Sequence, residues 1–184
     1  MKKMKMIFAI AVVLLVACVT PVMAQDFGVG VQFGVFVTGI VADIPVGPIS
    51  LTPGVGYPFG IKAFANMSES SEDTEVFNAA PVFSLDATIP FDFGDNFRLK
   101  IGAGAWALTH IKDGTFMGTA GLKVRPEFFT NTGNWSVFIN VDVPVIVFFP
   151  RDNADGTQGM KVEYNPLLTV FSVFTSSLGV MYRF

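Results

Sequence analysis

The chain has 184 residues, of which 51% are hydrophobic and only 15% charged, with 20 Phe, a single Cys and a formal net charge of −3. Soluble domains average roughly a quarter charged residues, so this balance excludes a disordered polyelectrolyte and a basic nucleic-acid binder, and it points to a membrane. After residue 24, charges, prolines or glycines interrupt every apolar run well short of the about 20 residues that a membrane helix needs, which leaves the closed β-barrel as the way to satisfy backbone hydrogen bonds in lipid.

The N-terminus predicts the compartment. Lys2, Lys3 and Lys5 form a basic region, Ile7 to Val16 an apolar one, and Val22-Met23-Ala24 places small residues where a secretory signal peptide is cut. Cleavage after Ala24 leaves residues 25–184 as the barrel domain, without cysteine. The alternative is Leu15-Val16-Ala17-Cys18, which resembles a lipoprotein box with Cys18 as the lipidated first residue. Three of the twelve basic residues lie in the signal, so the mature charge is 9 minus 15, or −6.

Period-two alternation then recurs along the chain and predicts strands at about 27–35, 39–45, 48–62, 77–89, 97–109, 116–128, 135–149 and 166–184. The first two are separated by a tight turn at Phe36-Val37-Thr38-Gly39, because one long strand there would leave seven, and bacterial single-chain barrels have even numbers. This register puts short turns at Pro45 to Pro48, Asp92 to Asn96 and Thr130 to Asn134 on the periplasmic side. The polar segments Asn66 to Glu75 and Arg151 to Gly159 fall outside the cell. Phe27, Phe97, Phe128, Trp135, Tyr182 and Phe184 are expected to form one outward aromatic girdle, and Phe59, Phe77, Phe116 and Phe149 the other.

At the C-terminus Leu178, Val180, Tyr182 and Phe184 alternate with Ser177, Gly179, Met181 and Arg183. A terminal Phe, an aromatic two residues earlier and apolar residues at the next two alternate positions resemble the C-terminal signal of bacterial outer-membrane barrels. The architecture is similar to the small eight-stranded barrels of the outer membrane protein X and outer membrane protein W type. The resemblance implies an all-β, antiparallel, up-and-down transmembrane barrel in the cell outer membrane, inserted by the barrel-assembly machinery and surrounded by outer-membrane lipid. Small barrels of this kind include stabilisers, adhesins, evasion factors and conduits for small hydrophobic compounds.

The alternate face supplies the candidate site. Asp43, Asp86, Arg98, Lys100, Lys123, Arg125, Glu127, Asp142 and Arg183 point inward, nearly all toward the periplasmic strand ends. Five basic against four acidic groups, in a barrel only wide enough for side chains, most simply form a salt-bridged plug. Arg98 and Lys100 are expected to pair with Asp86 on the neighbouring strand, and Glu127 and Asp142 lie on adjacent strands near their shared turn. A conducting ring would instead show one dominant sign. Above the charges the interior carries glycines with Gln32, Thr119, Asn140 and Trp106, the last being the candidate wall of a small ligand cavity.

Enzyme chemistry has little to stand on. His110 is the only His, with no Ser or carboxylate placed beside it by the sequence. The stretch from Arg151 matches a calcium loop at its third, fifth and sixth positions, but Arg151 occupies the first and Val162 the twelfth. No cofactor and no metal site is expected. The expected function is a structural or surface-interaction barrel, meeting a partner through loops 64–76 and 150–160; the runner-up is a narrow channel or a small-ligand transport barrel, and a lipid-modifying enzyme comes last.

Overall fold

The computed structural model describes residues 27–60, 81–109, 116–130, 133–152, 158–164 and 176–184. They form nine strand segments: β1 (Gly28–Gly34), β2 (Thr38–Val46), β3 (Ile49–Tyr57), β4 (Val82–Asp92), β5 (Phe97–Thr109), β6 (Phe116–Phe129), β7 (Trp135–Asp152), β8 (Gln158–Tyr164) and β9 (Ser177–Arg183). Every pairing is antiparallel between neighbours in the wall, and β9 pairs with both β1 and β7. The β6–β7 pairing completes the circuit. The sheet is therefore a closed barrel with eight wall positions.

The turns follow from local chemistry. Gly47, Gly94 and Gly133 adopt φ of 59°, 70° and 73°, in the left-handed region where a Cβ is strained. Gly47 with Pro48 closes the β2–β3 hairpin in two residues, the glycine-first pattern of tight hairpins. All three glycines lie in the segments expected to be short turns. At the opposite end, Val35-Phe36-Val37 joins β1 to β2, at the place where the alternation had to be broken.

The eighth wall position departs from the expectation of one strand over 166–184. Its lower part is β9, which pairs Ser177 to Tyr182 with Asn140 to Trp135 of β7; its upper part is β8, which pairs Gln158 to Tyr164 with Asp152 to Ile146. Arg151, Asp152 and 158–159, expected in a loop, are strand. Twelve residues (165–176) separate β8 from β9 where β7 has only Val141 to Val145. The two ladders are thus out of register by seven residues, a discontinuity that alternation along one strand cannot reveal because each half alternates correctly by itself.

A β-bulge produces a second correction. Gly121 pairs with Pro144, but Ala120 pairs with Ile146, so Val145 is an extra residue on β7. Above it the phase flips, placing Phe148 over Gly118 on the outer face and Phe149 on the face of Lys161, whose ammonium lies 5.5 Å from its ring centroid. Phe149 is thus not part of the outward girdle; Phe148 stands there instead. Phe77 lies outside the described residues.

Polarity is inverted relative to a water-soluble barrel. Leu85, Leu122, Ile101, Val137 and Leu178 are exposed on the outside, whereas Asp43, Lys100, Arg125, Glu127 and Arg183 are buried inside. At the end where Phe27 and Phe184 lie, these two with Phe97, Phe128, Trp135 and Tyr182 ring the exterior, with contacts such as Trp135–Tyr182 at 5.0 Å and Tyr182–Phe184 at 5.1 Å between centroids. No helix among the described residues is long and apolar enough to cross a membrane.

Candidate functional site: the charged interior

Alternation on six strands delivers polar side chains to one level of the lumen. Asp43 of β2 is the centre of that level. Its carboxylate accepts from Lys100 of β5, from Arg183 Nη2 of β9 at 2.8 Å, from Ser50 of β3, and from Thr52 Oγ1 at 3.1 Å. Glu127 of β6 is the second anion, gripped by Arg183 Nη2 with 2.7 Å to each carboxylate oxygen, by Arg183 Nε at 3.2 Å, and by the hydroxyl of Ser136 on β7. Lys100 Nζ also stands 3.9 Å from Glu127. Each buried carboxylate thereby meets both a counter-charge and neutral donors, the condition under which burial of charge is tolerated.

Arg125 is held differently. Its guanidinium lies 3.9 Å from the centroid of the Phe138 ring and donates to Thr52 Oγ1 at 3.4 Å and to Met181 Sδ at 3.6 Å. Phe138, Met181 and Val41 form a buried apolar cluster inside the charged lumen. Sequence reasoning missed this cluster, although Phe138 is in phase with Ser136 and Asn140. The register adds the clue: Phe138 stands opposite Gly179, whose missing side chain is the space its ring occupies.

One level farther from the termini, Lys123 Nζ bridges Asp86 at 3.1 Å and Asp142 at 2.6 Å. At the mouth, Arg98 pairs with Asp92, and both Arg98 and Arg183 lie over the Phe129 ring at 5.2 and 5.3 Å. The nine predicted residues are therefore together in the lumen, but the partners differ from those expected. Lys100 and Arg98 do not pair with Asp86. Lys100 reaches across the lumen to Asp43, and Asp86 takes Lys123, because long side chains in a narrow barrel span strands that are not neighbours in the wall. Lys100, Arg125, Arg183 and Lys123 balance Asp43, Glu127, Asp86 and Asp142.

Above these charges the interior turns apolar. Val37 of the β1–β2 connection, Val82 and Leu108 form a buried cluster against which Phe36 and Trp106 pack, with the Phe36 and Trp106 ring centroids 5.3 Å apart. A cavity of about 10 Å³ lies below this cap, between Trp106 and the Asp86–Lys123–Asp142 group. A larger vestibule of about 330 Å³ opens at the terminal end, lined by Asp43, Asp92, Arg98, Lys100 and Arg183. Trp106 thus lines a cavity, though one of water size.

Chemically, the arrangement cross-links the wall ionically from strand to strand. Among the described residues, no group of three or more His, Cys, Asp or Glu is placed to hold a metal ion. His110, segment 64–76, residues 153–157 of the calcium-like stretch that starts at Arg151, and the expected signal segment 1–24 lie outside the described residues.

A closed antiparallel barrel with an apolar outer face and a charge-packed interior has the architecture of a transmembrane β-barrel. Comparison with known proteins finds no matching family model and no matching curated protein. Among solved structures, a major outer membrane protein from Thermus thermophilus is similar at 13% identity and a TM-score of 0.36, over 88% of this chain and 100% of that one. The strand pairing itself carries the fold assignment.

Proposed function

We propose that the protein is an integral barrel of the bacterial outer membrane whose lumen is closed by its ion-paired network, and that it acts as a structural or surface-interaction protein rather than as an enzyme. The observation that carries this reading is the network centred on Asp43 and Glu127, which ties β2, β3, β5, β6, β7 and β9 together across the lumen. A route for solutes would have to pass between those pairs and then past Val37 and Trp106. Secretion through the 1–24 signal and insertion through Leu178, Val180, Tyr182 and Phe184 belong to the same proposal, as do contacts with a surface partner through segments 64–76 and 150–160.

The second reading, a narrow conduit or small-ligand barrel, draws on the vestibule of about 330 Å³, which reaches the lower end of ligand-pocket sizes. Single-channel recording of the refolded protein separates the two. The closed reading expects no reproducible conductance; steps that disappear or change with Trp106→Ala or Lys100→Glu would overturn it in favour of the conduit. For localisation, fractionation is decisive: recovery with the outer membrane is expected, and recovery as a soluble periplasmic protein would refute the proposal.

A further inference from the structure

The cavity beneath the apolar cap has an unusual lining. Val37 closes it from the far side, but Gln32, Ser84, Asp86, Lys123 and Asp142 give it polar walls, with Trp106 alongside. Its volume of about 10 Å³ matches the roughly 10–15 Å³ that one water needs by the same measure. Trp106 Nε1 is buried without an acceptor, and Asn140 Oδ1 is buried without a donor. The Asn140 amide adjoins the cavity, since its Nδ2 donates to Gln32 Oε1 at 2.8 Å and to Ser177 Oγ at 3.2 Å. Buried polar atoms of this kind are satisfied by ordered water far more often than they are left alone.

We propose that this chamber is a binding site for one water molecule, which accepts the indole N–H of Trp106 and donates to the acceptors around it, the Asp86 carboxylate foremost. Other occupants fit less well. The space is too small for an organic ligand. A metal cation would face two donors, the Trp106 N–H and the Lys123 ammonium, and an empty cavity is the expectation for an apolar lining, which this one lacks. The site rests on the geometry of the chamber and not on the closed-lumen reading. With the Val37–Val82–Leu108 cap on one side and the Arg125–Phe138 layer on the other, its water exchanges slowly.

The chain has two tryptophans, and the second, Trp135, stands on the outer surface, so each indole N–H signal is a separate probe. The test is nuclear magnetic resonance on the full refolded chain, ¹⁵N-labelled at Trp, in lipid nanodiscs. A spin-labelled lipid broadens the Trp135 signal and leaves that of Trp106, which assigns them without any substitution. Expected for Trp106 is a downfield, hydrogen-bonded indole proton with direct cross-relaxation to the water resonance. An upfield indole shift without a water cross-peak would overturn the proposal, as would loss of the cross-peak on adding sodium ions. Conductance measurements read barrel closure alone, so a closed barrel that lacks the cross-peak, which overturns only the water site, is told apart from a conducting one, which overturns the closed lumen.

Discussion

At the scale of single residues, the interior separates charges that matter to stability from charges that do not. Asp43 holds two cations and two hydroxyls in a buried setting, so Asp43→Asn leaves Lys100 and Arg183 short of a counter-charge. Loss of one partner from a buried pair costs about 3–5 kcal/mol, and that fall is expected in reversible urea unfolding from lipid vesicles. Asp92 faces the same chain's Arg98 at the exposed mouth, so Asp92→Asn is expected to change stability by less than about 1 kcal/mol in the same assay. Equal effects of the two substitutions would show that the network is not the stabilising element. Gly179 offers an independent check on packing. A Cβ there would meet the Phe138 ring and the Val31 carbonyl oxygen at 2.6 Å, so Gly179→Ala is expected to cost about 1–3 kcal/mol, with partial recovery in Gly179→Ala combined with Phe138→Leu. Partial rather than full recovery follows from the backbone contact, which no side-chain change relieves.

At the scale of strands, the outer face of β6 presents Leu122 near the middle of the strand and Phe128 in the aromatic ring. If this face lies in lipid, charge should cost more at its centre than at its edge. Leu122→Arg is expected to destabilise by about 2–4 kcal/mol and Phe128→Arg by about 0–1 kcal/mol from its charge, read as a depth profile in vesicle refolding. A flat profile would argue against the membrane orientation. Legibility also varies by strand. The 97–109 strand is legible to the residue, since it is uninterrupted and its turns carry a positive-φ glycine at Gly94 on one side. β7 is legible only up to Val145, because one extra residue reverses which side chains face out while the local sequence still alternates. The eighth wall position reads as a single strand for a similar reason. Its break shows only when Asn140–Ser177 and Ile146–Tyr164 are compared on the partner strand.

At the scale of the whole molecule, barrel closure decides the chemistry of the interior. Alternation alone places nine residues in the lumen, which needs only the period of a strand and the knowledge of which face is apolar. Their pairing is not legible. Lys100 and Asp43 are 57 positions apart in the chain and sit on strands that do not touch in the wall, so their contact exists only once the sheet has curled shut. The same holds for Arg183 with Asp43 and Glu127, whereas Arg125 meets Phe138 across the paired strands β6 and β7. The cap is another product of closure: Phe36 and Val37 read as turn residues, and become the lid over Trp106 because the β1–β2 connection is short enough to fold inward. A prediction at this scale is that Val37→Gly, which thins the cap without touching the ion pairs, speeds hydrogen–deuterium exchange of the Trp106 indole while leaving unfolding cooperative; unchanged exchange would mean that Val37 is not the barrier.

The sequence by itself therefore determined the periodicity, the positions of the tight turns, and the division of side chains into an apolar outside and a charged inside, because each follows from neighbours within a few residues. The tertiary structure decided which charge meets which, where β7 changes phase, how the eighth position is shared, and that a water-sized polar chamber lies beneath an apolar cap. Those depend on distances across a closed cylinder, and no local pattern encodes the diameter at which opposite walls come within reach of a lysine or an arginine.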